Sequence, residues 1–182
     1  QTCALPISAR FSPLPEGGQI YQYAQHDVAH AGGELRYDYN AANQKWHWGQ
    51  SAQYVFLQNL TTGLPLPFSP PARLLSQLSY APALRTREGN PSPISLRIEL
   101  QHELNAAQNR TDRNEAPTPA YQLLHASATA SYSSAKIGRF DLSLQLQNAF
   151  NTPYLQHLSR YRPLMLPEQG RNWVLALRWS LP

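Results

Sequence analysis

Apolar and polar side chains alternate with a period of two along much of this chain, the spacing that puts successive residues on opposite faces of a β-strand. The clearest run, 140–147, sets Phe140, Leu142, Leu144 and Leu146 on one face against Asp141, Ser143, Gln145 and Gln147 on the other. A helix would mix these two sets. The last segment repeats the pattern, with Trp173, Leu175, Leu177, Trp179 and Leu181 opposite Asn172, Ala176, Arg178 and Ser180. The stretch 94–104 does it again, setting Ile94, Leu96, Ile98 and Leu100 against Ser95, Arg97, Glu99 and Gln101. Weaker alternation predicts further strands at 21–25, 34–39, 46–56, 72–80 and 124–132, eight in all. No helical period competes with them.

The 16 prolines cluster between these segments, at Leu64-Pro-Leu-Pro-Phe-Ser-Pro-Pro71, Asn90-Pro-Ser-Pro93 and 117–119. Proline lacks the N–H that a sheet ladder needs, so the clusters mark connections. The connections are unequal. Those at 40–45 and 133–138 are short, whereas 59–71, 105–120 and 151–170 are long. Short turns at one end and long loops at the other are the pattern of an outer-membrane barrel, with the short set in the periplasm. The connection expected at 27–31 is brief for an outer loop, and 81–93 is long for a periplasmic turn.

That assignment of ends makes a second prediction, of aromatic girdles at both lipid–water interfaces. Tyr37, Tyr39, Trp46, Trp48, Tyr80, Tyr132, Phe140 and Trp179 fall at the periplasmic ends, and Tyr21, Tyr23, Tyr54, Phe56, Tyr121 and Trp173 at the outer ends. Composition agrees. Charged residues make up 14%, against about 25% in a typical soluble domain. Mean hydropathy is nevertheless negative, −0.49, as alternation averages out along each strand. The charges Glu34, Arg36, Asp38, Arg73, Arg97, Glu99 and Arg178 keep to the polar phase, which would face the lumen. A charge at the lipid midplane costs about 2–4 kcal/mol, which gives this confinement its energetic reason.

Several other classes fall away. There is no uninterrupted apolar stretch of about 18 residues for a membrane-spanning helix. The net charge of +4 comes from scattered residues, nearly all Arg, with no basic run to follow a phosphate backbone, so no nucleic-acid partner is expected. No nucleophile elbow, paired-acid motif, phosphate loop or Cys-x-x-Cys is present, so the chain reads as a non-enzyme with no cofactor. Asn109-Arg-Thr111 matches a glycosylation acceptor, a modification foreign to the expected compartment. The opening Gln1-Thr-Cys-Ala-Leu-Pro-Ile7 resembles a translated sequencing adapter. Residues 1–8 are therefore read as a non-native or disordered leader and 9–182 as barrel. The single cysteine, Cys3, cannot form an internal disulfide.

Three stretches resemble the C-terminal half of TonB-dependent receptors. Asn148-Ala-Phe-Asn-Thr-Pro-Tyr154 is similar to the step where the penultimate strand enters its outer loop. Gly170-Arg-Asn172 resembles the opening of the last strand, and Leu64-Pro-Leu-Pro-Phe-Ser-Pro-Pro-Ala-Arg73 resembles an outer loop. With Asn114-Glu-Ala-Pro-Thr-Pro-Ala-Tyr121 the similarity spans most of 11–182. The resemblance implies a plugged barrel of about 22 strands in the outer membrane of a Gram-negative bacterium. It would import a scarce ligand with energy delivered by TonB. The plug and the TonB-contacting segment would lie outside this sequence. One departure is the end, Ser180-Leu-Pro182, where these receptors usually finish on an aromatic residue.

The regions Asn114-Glu-Ala-Pro-Thr118 and His157-Leu-Ser-Arg160 look most like the branch associated with zinc and haem uptake. Five of the six histidines fall in the expected outer half. Neutral imidazole is a good ligand for zinc or haem iron, so His26, His30, His125 and His157 are the candidate metal ligands. The sequence reads as an all-β, transmembrane antiparallel barrel, these being about eight C-terminal strands of a larger one. Its expected partners are outer-membrane lipid, the TonB complex, and a zinc, haem or siderophore ligand. Two readings compete: a self-contained eight-stranded barrel, and a soluble β-sandwich binding module.

Overall fold

The computed structural model describes residues 26–113 and 115–181 in full and, for 8–13 and 19–24, the backbone. Residues 1–7 with Cys3, and Gln25, Asn114 and Pro182, lie outside the described residues, as do the side chains of Tyr21 and Tyr23. Strands β1 (Ser8–Pro13) and β2 (Gln19–Ala24) form an antiparallel hairpin. A second sheet runs in strict sequence order through β3 (Val28–Asn40), β4 (Trp46–Asn59), β5 (Arg73–Tyr80), β6 (Ile94–Asn105), β7 (Tyr121–Ser134), β8 (Gly138–Gln147) and β9 (Asn172–Ser180). All six pairings are antiparallel. The sheet is open among the described residues, with β3 and β9 as its edges.

The register carries one phase across every strand. Ala126, Ala128, Ala130 and Tyr132 stand opposite Leu146, Leu144, Leu142 and Phe140, which in turn face Trp173, Leu175, Leu177 and Trp179. The other phase joins Ser127, Thr129 and Ser131 to Gln145, Ser143 and Asp141. Because side-chain direction repeats every two residues, a slip of one would put Asp141 on the apolar side. Among the described residues nothing is packed on the apolar face: Leu35, Leu78, Leu142, Leu175 and Leu177 are all exposed. A β-sandwich would bury that face against a second sheet.

Aromatic pairs form at the end of the sheet that carries the short turns 41–45 and 135–137. Trp46 lies against Tyr80 with ring centroids 4.4 Å apart, Tyr37 meets Trp48 edge-on at 5.7 Å, and Phe140 stacks on Trp179 at 5.4 Å. The Trp179 indole N–H also donates to the Ile137 carbonyl at 2.9 Å, tying β9 to the β7–β8 turn. That turn closes through Gly138 at φ +88°, where a side chain would drive into the Ser180 carbonyl.

Two expectations about strands need correction. The segment 27–31 is no outer connection, because β3 already begins at Val28 and His30 pairs with Leu57. Ala29, Ala31, Gly32 and Gly33 carry too little side chain to show an alternation, which hid the strand. Likewise Ser8–Pro13 form β1, a strand that the alternation does not announce. The described strands number nine in place of the eight expected.

Candidate functional site

The long loops 60–72, 106–120 and 148–171 all emerge at one end of the sheet and close on a single carboxylate. Glu115 Oε1 accepts from the Phe68 backbone N–H at 2.9 Å and from Arg162 Nη2 at 2.7 Å, with His157 Nε2 at 3.2 Å. Phe68, Glu115 and His157 with Arg162 come one from each loop, so this oxygen joins all three. A second tie runs from Gln108 Nε2 to the Ser69 carbonyl at 2.8 Å. Arg162 opens a short 3-10 helix, Arg162–Leu164, and its guanidinium also lies over the Phe68 ring at 5.3 Å.

His157 is almost wholly buried in this clasp, and both ring nitrogens are engaged. Nε2–H donates to Glu115, while Nδ1 faces the Thr118 hydroxyl at 3.0 Å and Arg162 Nη1 at 2.7 Å. Burial, and then the Arg162 charge, push the imidazole pKa below its ordinary value, against the opposing pull of Glu115. The ring is therefore neutral at pH 7 and acts as a bridge between loops.

The stretches singled out in sequence serve as staples. Asn148, at φ +48°, accepts the Thr152 N–H at 2.9 Å on Oδ1, and its Nδ2 donates to the carbonyls of Thr152 at 2.9 Å and Gln169 at 3.4 Å. Asn151 Oδ1 accepts the Arg171 N–H at 2.8 Å. A Cβ at Gly170 would come within 2.6 Å of that oxygen, which explains the glycine. The two ends of loop 148–171 are thus pinned together where β8 leaves the sheet and β9 enters it.

Beneath the clasp, on the polar face, a hollow of about 290 Å³ is lined by residues including Arg73, Glu103, Tyr121, His125, Tyr154 and His157. Tyr121 and Tyr154 lie ring to ring at 4.6 Å on its wall. Glu103 is held by Arg73 Nη2 and by Asn105 Nδ2, each at 2.7 Å. A second hollow of about 440 Å³ continues from Glu103 and His125 past Glu99, Gln101, Ser127 and Gln145. The path is polar and offers carboxylate, amide and hydroxyl oxygens.

Of the four candidate ligands, the structure brings His125 and His157 to one hollow and leaves His26 and His30 at the β3 edge, three strands from β7. His125 Nδ1 accepts the Asn148 backbone N–H at 3.3 Å, which places its own proton on Nε2. Among the described residues, no three His, Cys, Asp or Glu side chains gather closely enough to hold a metal ion. Arg162 is the residue that sequence reasoning missed, since nothing local marks an arginine before a proline as the partner of Glu115.

No protein-family model matches the sequence, and no curated protein matches it. Among solved structures the chain is similar to the copper transporter OprC, with a TM-score of 0.75 at 20% identity. The match covers 94% of this chain and 26% of that one, so the chain spans about a quarter of its neighbour's length. The fold is therefore that of a strip of an antiparallel β-barrel wall.

Proposed function

We propose that this chain forms part of the wall and outer loops of a TonB-dependent receptor in the outer membrane of a Gram-negative bacterium. Its cargo would be a scarce metal or metal complex. The observation that carries the reading is the two-phase sheet: one phase is mainly apolar from Leu35 to Leu177, broken by the row Gln50, Ser76 and His102, and the other is a polar, charge-bearing surface. A bilayer supplies the missing cover for the first, and an aqueous lumen suits the second. Three long loops, 60–72, 106–120 and 148–171, cluster at one end, where a receptor captures its ligand, while 81–93 lies at the other.

The cargo class rests on lesser support. Glu99, Glu103 and His125 line the polar path and suit a cation or its complex. Zinc, haem and siderophores follow from the resemblance, and copper joins them through the structural neighbour. The clasp then positions the loops, with His157 as a structural bridge at rest. His26 and His30 would serve as ligands only with groups beyond those described.

The test is uptake by cells carrying the full gene, using radiolabelled zinc, copper and haem in matched strains with and without TonB. Accumulation of one cargo that disappears in the strain lacking TonB supports the proposal and names the cargo. Uptake that ignores TonB, for every cargo, overturns it.

A further inference from the structure

The outward, apolar face is not uniformly filled. Near its outer end an open hollow of about 500 Å³ lies among Leu35, Ala52, Tyr54, Ala72, Leu74 and Leu104. Leu35, Ala52, Tyr54, Leu74 and Leu104 share the phase that carries the girdle aromatics, so the hollow opens mainly to the outer side of the wall, with Glu34, Gln53 and Arg73 of the other phase at its margin. It exists because Ala52 and Ala72 stand short between bulkier neighbours. In a bilayer such a recess cannot stay empty, and its mainly apolar lining offers water few hydrogen-bond partners.

Besides Arg73, which is paired with Glu103, a second cation sits near the rim. The Arg110 guanidinium, from loop 106–120, lies 4.0 Å above the Phe56 ring, and its Nη1 donates to the Tyr54 hydroxyl at 3.4 Å. Tyr54 itself lines the hollow, and Phe56 is the next outward-facing residue of β4, so the charge is held beside the recess on the loop side. Among the described residues no carboxylate lies within 4.0 Å of Arg110. An unpaired guanidinium at the lipid–water boundary suits a phosphate, which it can grip with two N–H groups.

We propose that the hollow and Arg110 together bind one anionic membrane lipid, its acyl chain in the recess and its phosphate on the guanidinium. The cation–π contact with Phe56 and the Tyr54 hydroxyl fix the guanidinium before the lipid arrives, which lowers the ordering cost of binding. The proposal rests on the reading of this face as lipid-facing, though not on TonB or on the cargo.

Native mass spectrometry of the full-length protein in an uncharged detergent tests it. The protein is incubated with equal amounts of phosphatidic acid and phosphatidylcholine of identical chains. One retained phosphatidic acid is expected, favoured over phosphatidylcholine by about fivefold. Arg110→Gln should remove that preference, Ala52→Phe should remove the retained lipid, and Leu177→Ala, on the far edge strand, should change neither. Inorganic phosphate in excess should not displace the lipid. An unchanged preference in Arg110→Gln overturns the proposal, as does displacement by phosphate, which would make the site one for a free anion. Should Ala52→Phe fail to fold, as judged by β-sheet circular dichroism, the arginine variant decides alone. A protein that stays dissolved without detergent sinks the membrane reading itself, whereas a detergent-held barrel with equal adducts of both lipids sinks only this site.

Discussion

On β9 the apolar residues Leu175 and Leu177 are each 70% exposed, whereas in the loop just before it His157 is 1% and Arg162 6% exposed. A water-soluble domain arranges these the other way round. Among the described residues the buried hydrophobic side chains are Val28, Leu66 and Leu123, and most of the buried polar ones, from Asn59 to Arg162, sit at the same outer end. The wall is thus a ladder of backbone hydrogen bonds whose apolar face is left uncovered among the described residues, the cover that the proposed function assigns to lipid. The cap carries its own packing, through groups that must satisfy one another. A wall of this kind tolerates change on its polar side, while the cap fails when any central partner is lost.

The largest effect should come from the cap. Glu115→Ala leaves the buried Arg162 guanidinium without its carboxylate, a loss of about 3–5 kcal/mol for a buried pair. Faster amide exchange is expected in 106–120 and 148–171, with the protection of β7 and β8 unchanged; uniform loss of protection would show that the two regions are not separable. Next comes the wall. Leu144→Arg puts a charge into the lipid and should cost about 2–4 kcal/mol in a bilayer unfolding titration. Ser143→Arg, one residue away on the polar face, should cost about 0.5 kcal/mol or less. Equal costs would erase the distinction between the faces.

The smallest effect is a pH dependence confined to the cap. Since the folded state lowers the His157 pKa below 6.5, the unfolded loop takes up a proton that the clasp refuses. The clasp's stability is then complete above about pH 6.5 and falls as pH drops through that range. Limited proteolysis of loops 106–120 and 148–171 should accelerate from pH 7 to pH 5, and His157→Gln should flatten that profile.

How much of this was legible in sequence differs between the same two regions. The strands announced themselves wherever one face carries Leu, Ile, Trp or Tyr, as in 140–147 and 172–181. They went unseen where the outward residues are Ala29, Ala31 and Gly33, because alternation needs contrast. The cap was legible only in part. Asn148 and Gly170 were picked out as matches to a pattern, and their purpose as loop staples emerged only when Gln169 and Arg171 came beside them. Glu115, Thr118 and His157 lay in two quoted stretches, yet they meet across roughly 40 residues of chain, which no local pattern encodes. The histidines were chosen by residue type. Which ring nitrogen is occupied depends on a backbone amide for His125 and on Glu115 for His157, and neither neighbour can be read from spacing.

The central claim is that one phase of the sheet faces lipid and the other an aqueous lumen. The direct measurement is a spin-label scan of 140–147 in the full-length protein, reconstituted in bilayers with Cys3 replaced, comparing collision with oxygen and with a water-soluble nickel chelate. The account predicts a period of two, with oxygen favoured at Phe140, Leu142, Leu144 and Leu146 and the chelate at Asp141, Ser143, Gln145 and Gln147. Equal access of the chelate to both sets would contradict it.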